Sequence, residues 1–170
     1  MNLRRIALID VDDTGAAQLI RLHLEQLGLD VAFNRPGGPS DFFAAFGFYG
    51  QPADAAIIAA HGDDGGFIFP EMAEGVDDLR LPANRLTPEL IAERLISAPP
   101  LVLSTACSTG SSSFAHAFAP AGVQYYVAPL GDPAGRGVPL WIAAFAHAMV
   151  EGQRPLPGAI AAANALMHES

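Results

Sequence analysis

Leu101-Val-Leu-Ser-Thr-Ala-Cys107-Ser-Thr-Gly110-Ser-Ser-Ser-Phe114 is an apolar run that ends at the chain's one cysteine and turns into a helical pattern. A short apolar run following Pro99-Pro100 reads as a buried strand. The Ser/Thr/Gly tract beyond it supplies turn and N-cap chemistry for a helix. Cys107 therefore stands where a strand hands over to a helix. Amides at a helix N-terminus carry partial positive charge, so a sulfur there is expected to be favoured as thiolate.

A second run, Asp54-Ala-Ala-Ile-Ile-Ala-Ala60, ends in the same way and delivers His61-Gly62. In a parallel sheet both runs finish on one edge, and neighbouring strands lie roughly 5 Å apart. A thiol and an imidazole are thus expected to share one crevice.

The rest of the chain alternates strand and helix. Arg5–Asp10 reads as the first strand, followed by Asp12 and Asp13, with Asp13 or Thr14 capping a helix that stops at Gly28. Residues 30–34 form a second strand and 41–48 a helix capped by Ser40. Between Asp63 and Pro88 the rhythm breaks into a hairpin or irregular flap, after which Thr87 caps a helix with Pro88 at its first position. A helix to about Ala121, a strand at 124–128, a loop at 129–139 and helices at 140–151 and 157–168 complete the chain. This pattern predicts one α/β domain over residues 1–170, a three-layer flavodoxin-like sandwich with a mainly parallel central sheet. A strand order 2-1-3-4-5 sets the His61 strand between the first strand and the Cys107 strand, with Asp10, His61 and Cys107 at the switch point.

The strand-His-Gly element followed by a strand ending in Ala-Cys resembles the caspase-like cysteine peptidases, and most closely the bacterial CHAT domains. Histidine precedes cysteine by a separation close to the roughly 50 residues of the caspase pattern. Leu86–Ile91, Phe114-Ala-His-Ala-Phe118, Ala121-Gly-Val123 and Val127-Ala-Pro129 echo the family in register. The resemblance implies a caspase-like sandwich and a cysteine endopeptidase acting through an acyl-enzyme, with Cys107 as nucleophile and His61 as acid/base. Backbone N–H of Gly62 and Cys107 are the oxyanion donors it implies. Relatives directed at basic residues carry an acid two positions before the cysteine, where this chain has Thr105. Thr105, Asp10, Asp63 and Asp132 are the pocket candidates for a basic substrate residue. The resemblance also raises activation cleavage in the flap, after Arg80 or Arg85.

Two other readings stand beside it. A silent caspase-like or CHAT-like scaffold would bind partners without catalysis. The N-terminal Ile6-Ala-Leu-Ile-Asp-Val-Asp-Asp13 resembles the acidic pocket of a response-regulator receiver domain. That family needs an aspartate acceptor after the third strand and a lysine after the fifth; His61 occupies the first place and the chain has no lysine.

Composition bounds the partners. Nine arginines against eighteen acids give a net charge of −9, and mean hydropathy is +0.27. Neither nucleic acid nor an anionic membrane is expected, since both require clustered positive charge. A peptide or protein substrate is expected instead, with a homodimer or an activating partner compatible with the high apolar content. One cysteine excludes an internal disulfide, and no spacing signals a metal or other cofactor. Without a signal peptide or a span of roughly 20 apolar residues, the expected location is the cytoplasm.

Overall fold

The computed structural model describes residues 1–11, 15–71, 77, 79–133 and 137–168. Its central sheet has five parallel strands: β1 (Arg5–Asp10), β2 (Asp30–Asn34), β5 (Ala55–Ala59), β9 (Leu101–Ser104) and β10 (Tyr125–Val127). Their spatial order is β10-β9-β5-β1-β2. Numbered by their sequence order within this sheet, that is 2-1-3-4-5 read from the β2 edge, so the architecture is a flavodoxin-like α/β sandwich. β5 lies between β1 and β9, with Ile58 paired to Ile9 on one side and to Ser104 on the other.

The inner strands β1, β5 and β9 are apolar because both faces are covered, whereas the edge strands β2 and β10 open on the exposed Asp30 and Tyr125. Successive side chains point to opposite faces, and β1 divides accordingly. Ile6 and Leu8 pack with α1 (Ala16–Gln26), α5 (Gly137–Val150) and α6 (Leu156–His168). Ala7 and Ile9 pack with α2 (Pro39–Ala44), α3 (Pro88–Arg94) and α4 (Ser112–Phe118). The second face is aromatic. Phe42, Phe46, Phe67, Phe114 and Phe118 are buried there, with Phe42 ringed by Phe43, Phe46, Phe67 and Phe69 at centroid distances of 5.2–6.0 Å.

The helix boundaries follow local chemistry. Thr87 accepts a hydrogen bond from the Leu90 amide, and Pro88 occupies the first turn of α3. α2 is shorter than the spacing predicts. It stops at Ala44, and the chain then makes a small hairpin of β3 (Gly47–Phe48) and β4 (Gln51–Pro52), with Tyr49 and Gly50 at positive φ in the turn. The start of α2 is tied from afar: the Asp77 carboxylate accepts from the Ser40 amide at 2.8 Å and from the Ser40 hydroxyl at 2.6 Å. Gly15, at φ 69, precedes α1; the expected caps Asp13 and Thr14, like Asp12, lie outside the described residues.

The expected flap is a second sheet of three antiparallel strands, β6 (His61–Asp63), β7 (Gly66–Ile68) and β8 (Arg85–Leu86). It continues directly from β5, so His61 opens a hairpin instead of ending in a loop. Among the described residues no helix is long and apolar enough to cross a membrane.

Candidate functional site at the carboxyl edge of the sheet

The strand ends are laced together by backbone. The Thr105 amide donates to Ile58 O at 2.9 Å, and the Val11 amide donates to Ala59 O at 3.0 Å, prolonging the sheet past β9 and β1. Thr105 Oγ1 accepts from the Ala60 amide at 3.3 Å, so this side chain bridges β5 and β9 and is engaged in the sheet.

The turn after β9 is built from its own hydroxyls. Ser104 Oγ accepts from the Ala106 amide at 3.1 Å, a side chain reaching two residues ahead. The Thr109 hydroxyl donates to Ala106 O at 2.8 Å and lies 3.1 Å from Ser104 Oγ. Ser108 takes up φ 56, and its amide donates to Gly131 O at 3.0 Å. The Gly110 amide donates to Pro129 O at 2.7 Å. Two backbone bonds, joined by the Ser108 hydroxyl to Asp132, therefore hold the loop after β9 to the loop after β10.

Gly62 seats the hairpin on this turn. A Cβ at Gly62 would lie 2.8 Å from Ala106 Cβ and 3.1 Å from Cys107 O. His61-Gly62 packs at the Cys107 turn. Burial, followed by the charge of Asp132, pushes the Cys107 thiol above its ordinary range. Burial is the larger cause; the nearby charge is negative, and the N-terminus of α4, at Ser112, lies beyond Cys107.

This predicts the pH dependence of Cys107 alkylation by iodoacetamide. Because the raised group stays protonated to higher pH, reaction at neutral pH should be slower than for a free thiol, with the midpoint of the rate profile above the ordinary value of about 8.5. Asp132→Asn should move that midpoint down, and His61→Ala should leave it in place. Mass spectrometry of quenched time points from pH 6 to pH 11 checks the order, and a wild-type midpoint below that of a free thiol would contradict it.

The acidic pocket candidates are dispersed. Asp63 is bound by Arg85, whose Nε lies 2.8 Å from Oδ2, and by the Gly65 amide at 2.9 Å. That guanidinium holds the Asp63 carboxyl below its usual range. Asp63 thus ties the β6–β7 turn to β8. Asp132 accepts from the Ser108 hydroxyl at 3.1 Å. Asp10 is fully buried at the end of β1, with Arg35 Nε 3.4 Å from its Oδ2. Arg35 is one residue the sequence reading passed over; a lone arginine just after β2 carries no local pattern. Tyr126 is another. Its ring stacks on Phe118 at 5.0 Å, and burial pushes its phenol up to about 12. The Ser104 and Thr109 hydroxyls lie near enough to oppose that rise, yet no hydrogen bond of good geometry reaches the phenol. Among the described residues no group of three His, Cys, Asp or Glu side chains could hold a metal ion.

No family model and no curated protein matches the chain. Solved structures do. They include a response-regulator receiver domain protein and a response regulator. One is a CheY-like receiver domain protein from Methanospirillum hungatei JF-1, with 18% identity and a TM-score of 0.42, covering 79% of this chain and 86% of that one. Another is the RcsB response regulator of Salmonella typhimurium, described for conformational dynamism in DNA interaction; identity is 16%, the TM-score 0.46, and coverage 95% of this chain and 66% of that one. At such values the likeness transfers no residue's role. It does correct the resemblance drawn to the caspase-like and CHAT proteins, which none of these comparisons supports. The expectations of a cysteine peptidase, a peptide substrate and the exclusion of nucleic acid have no support in these comparisons; RcsB itself is described for DNA interaction.

Proposed function

We propose that the chain is a receiver-like signalling domain that works without phosphoryl transfer. The observation that carries this reading is the carboxyl edge of a 2-1-3-4-5 parallel sheet on which only part of the receiver site is present. Asp10 supplies a buried acid at the end of the first strand. The third strand of the sheet ends in Ala59-Ala60, so no carboxylate stands where the receiver resemblance asks for an acceptor, and the sequence contains no lysine to follow the fifth.

The charge balance points the same way. A buried carboxylate is costly unless it is compensated, and here Arg35 supplies a positive charge from within the chain. This ion pair offsets part of the cost of burying Asp10. Signalling then depends on contacts made by the folded surface, in the cytoplasm.

Incubation with acetyl phosphate and magnesium, followed by intact mass measurement, tests the reading. The expected result is no phosphoryl adduct and unchanged amide resonances at Asp10 and Ala60. A phosphoryl group on Asp10, accompanied by shifts along the strand ends, would overturn it.

A further inference from the structure

Between β10, α5 and α6 lies a cavity of about 410 Å³, whose wall also takes in Ser104 at the end of β9 and Pro129 in the loop after β10. Val127, Pro129, Val138, Trp141, Ile160 and Met167 form much of its wall. Its size falls within the roughly 300–1,000 Å³ of small-molecule sites, which are commonly apolar with a few placed polar groups. None of the described residues lining it is ionisable.

Two features give the cavity a definite chemistry. Trp141 is held flat on Phe145, with centroids 5.4 Å apart and planes within 8°, so an aromatic wall is fixed before anything binds. The indole Nε1–H donates to Asn164 Oδ1 at 2.7 Å. An indole nitrogen only donates, so this bond fixes the orientation of the exposed Asn164 amide and leaves both Nδ2–H donors for other partners. The polar group Asn164 can offer a ligand is therefore its Nδ2–H donor. Met167 closes one side by resting against Gly137, where a Cβ would collide with the Met167 methyl. An unbranched thioether can shift to suit different shapes.

We propose that this cavity binds a small, uncharged aromatic molecule bearing a carbonyl-type hydrogen-bond acceptor. Flat apolar walls select the ring, the Asn164 donor selects the acceptor, and the lack of an ionisable side chain among the described lining residues disfavours a charged ligand, whose desolvation would go uncompensated. A partner helix about 10 Å across with its side chains is too large for this volume. The inference is independent of the receiver-like reading, because it rests on the lining of this cavity and not on Asp10 or the missing acceptor.

The chain has one tryptophan, so a single indole N–H resonance reports on this wall. Acetophenone is the probe. Titrated into the isotopically labelled protein, it should shift that resonance along a saturable curve, with benzoate binding about tenfold or more weakly because its charge must be buried unpaired. Val138→Phe and Ile160→Phe fill the cavity from different helices, and either variant, once shown folded by its amide spectrum, should lose the saturable shift. A wild-type response that stays linear to the solubility limit, or that persists in a folded filled variant, overturns the proposal. Equal binding of benzoate overturns the assigned ligand class.

Discussion

Replacing Phe67 by alanine is expected to destabilise the protein by about 3–5 kcal/mol, the range for truncating a buried phenylalanine. Phe67 lies in β7 and is fully buried, with ring centroids 5.5 Å from Phe114, 6.0 Å from Phe42 and 6.4 Å from Phe118. With Leu86 of β8, also fully buried in this cluster, it is how the small antiparallel sheet grips the aromatic face of the main one. Its loss removes the transfer energy of the ring and leaves a void bounded by stiff aromatic groups that cannot easily close in. For a domain of this size the melting temperature should fall by roughly 10 °C or more. Phe67→Leu, which keeps most of the volume, should cost about 1.5 kcal/mol or less by comparison. Tyr49 is 76% exposed, so Tyr49→Ala should stay within about 0.5 kcal/mol. Urea melts of the three variants check the order. A Phe67→Ala variant as stable as Tyr49→Ala would mean that the small sheet is not anchored in this way.

The small sheet also marks where sequence reading ceased to resolve structure. Long-period signals survived: the apolar runs at 5–10, 55–59 and 101–104 became adjacent parallel strands in the expected order, because residues buried on both faces leave an unmistakable apolar signature. The Thr87-Pro88 start of α3 was equally legible, since capping is a local matter. The 41–48 helix was not. Its aromatic residues are spaced for burial, and in the structure Phe48 leaves the helix for a strand while Phe42 and Phe46 stay in the core. Hydrophobic spacing specifies which side chains are inside, and the Tyr49-Gly50 turn decides how the backbone brings them there.

At the site, topology was legible and chemistry was not. Placing His61-Gly62 beside the Cys107 turn needed only strand order. Whether the sulfur gains a thiolate-stabilising environment depends on where α4 begins and on which charge faces it. Those facts are set by a five-residue difference in the turn and by Asp132, 25 positions further on. Asp63 taught the same lesson, for its partner Arg85 lies across the small sheet at a separation of 22 residues that no motif records.

The second large effect should come from Gly110, the residue at which the loops after β9 and β10 touch. A Cβ there would lie 2.6 Å from Ala128 O and 2.7 Å from Pro129 O. Both are backbone atoms, so no side chain can swing aside to make room. The Gly110 amide is also bonded to Pro129 O at 2.7 Å, and relieving the collision means stretching or breaking that bond. Gly110→Ala is therefore expected to cost about 1–3 kcal/mol, at the upper end if the hydrogen bond is lost with its acceptor still shielded from water. Gly131→Ala is the matched control in the neighbouring loop. Its Cβ would meet nothing within 4 Å, and no left-handed φ opposes it, so a change near zero or a gain of about 0.4–1 kcal/mol is expected from the narrower unfolded ensemble. The two substitutions add the same methyl group to loops that face one another, so their difference isolates close packing from composition. Because Ser108 is tied to Gly131 O through the same pair of loops, forcing them apart at Gly110 should also expose Cys107. Its alkylation at neutral pH should accelerate in Gly110→Ala and stay at the wild-type rate in Gly131→Ala. Equal stability and equal alkylation in the two variants would show that the loops are free to separate, and that the turn after β9 holds its shape through the Ser104–Thr109 hydroxyls alone.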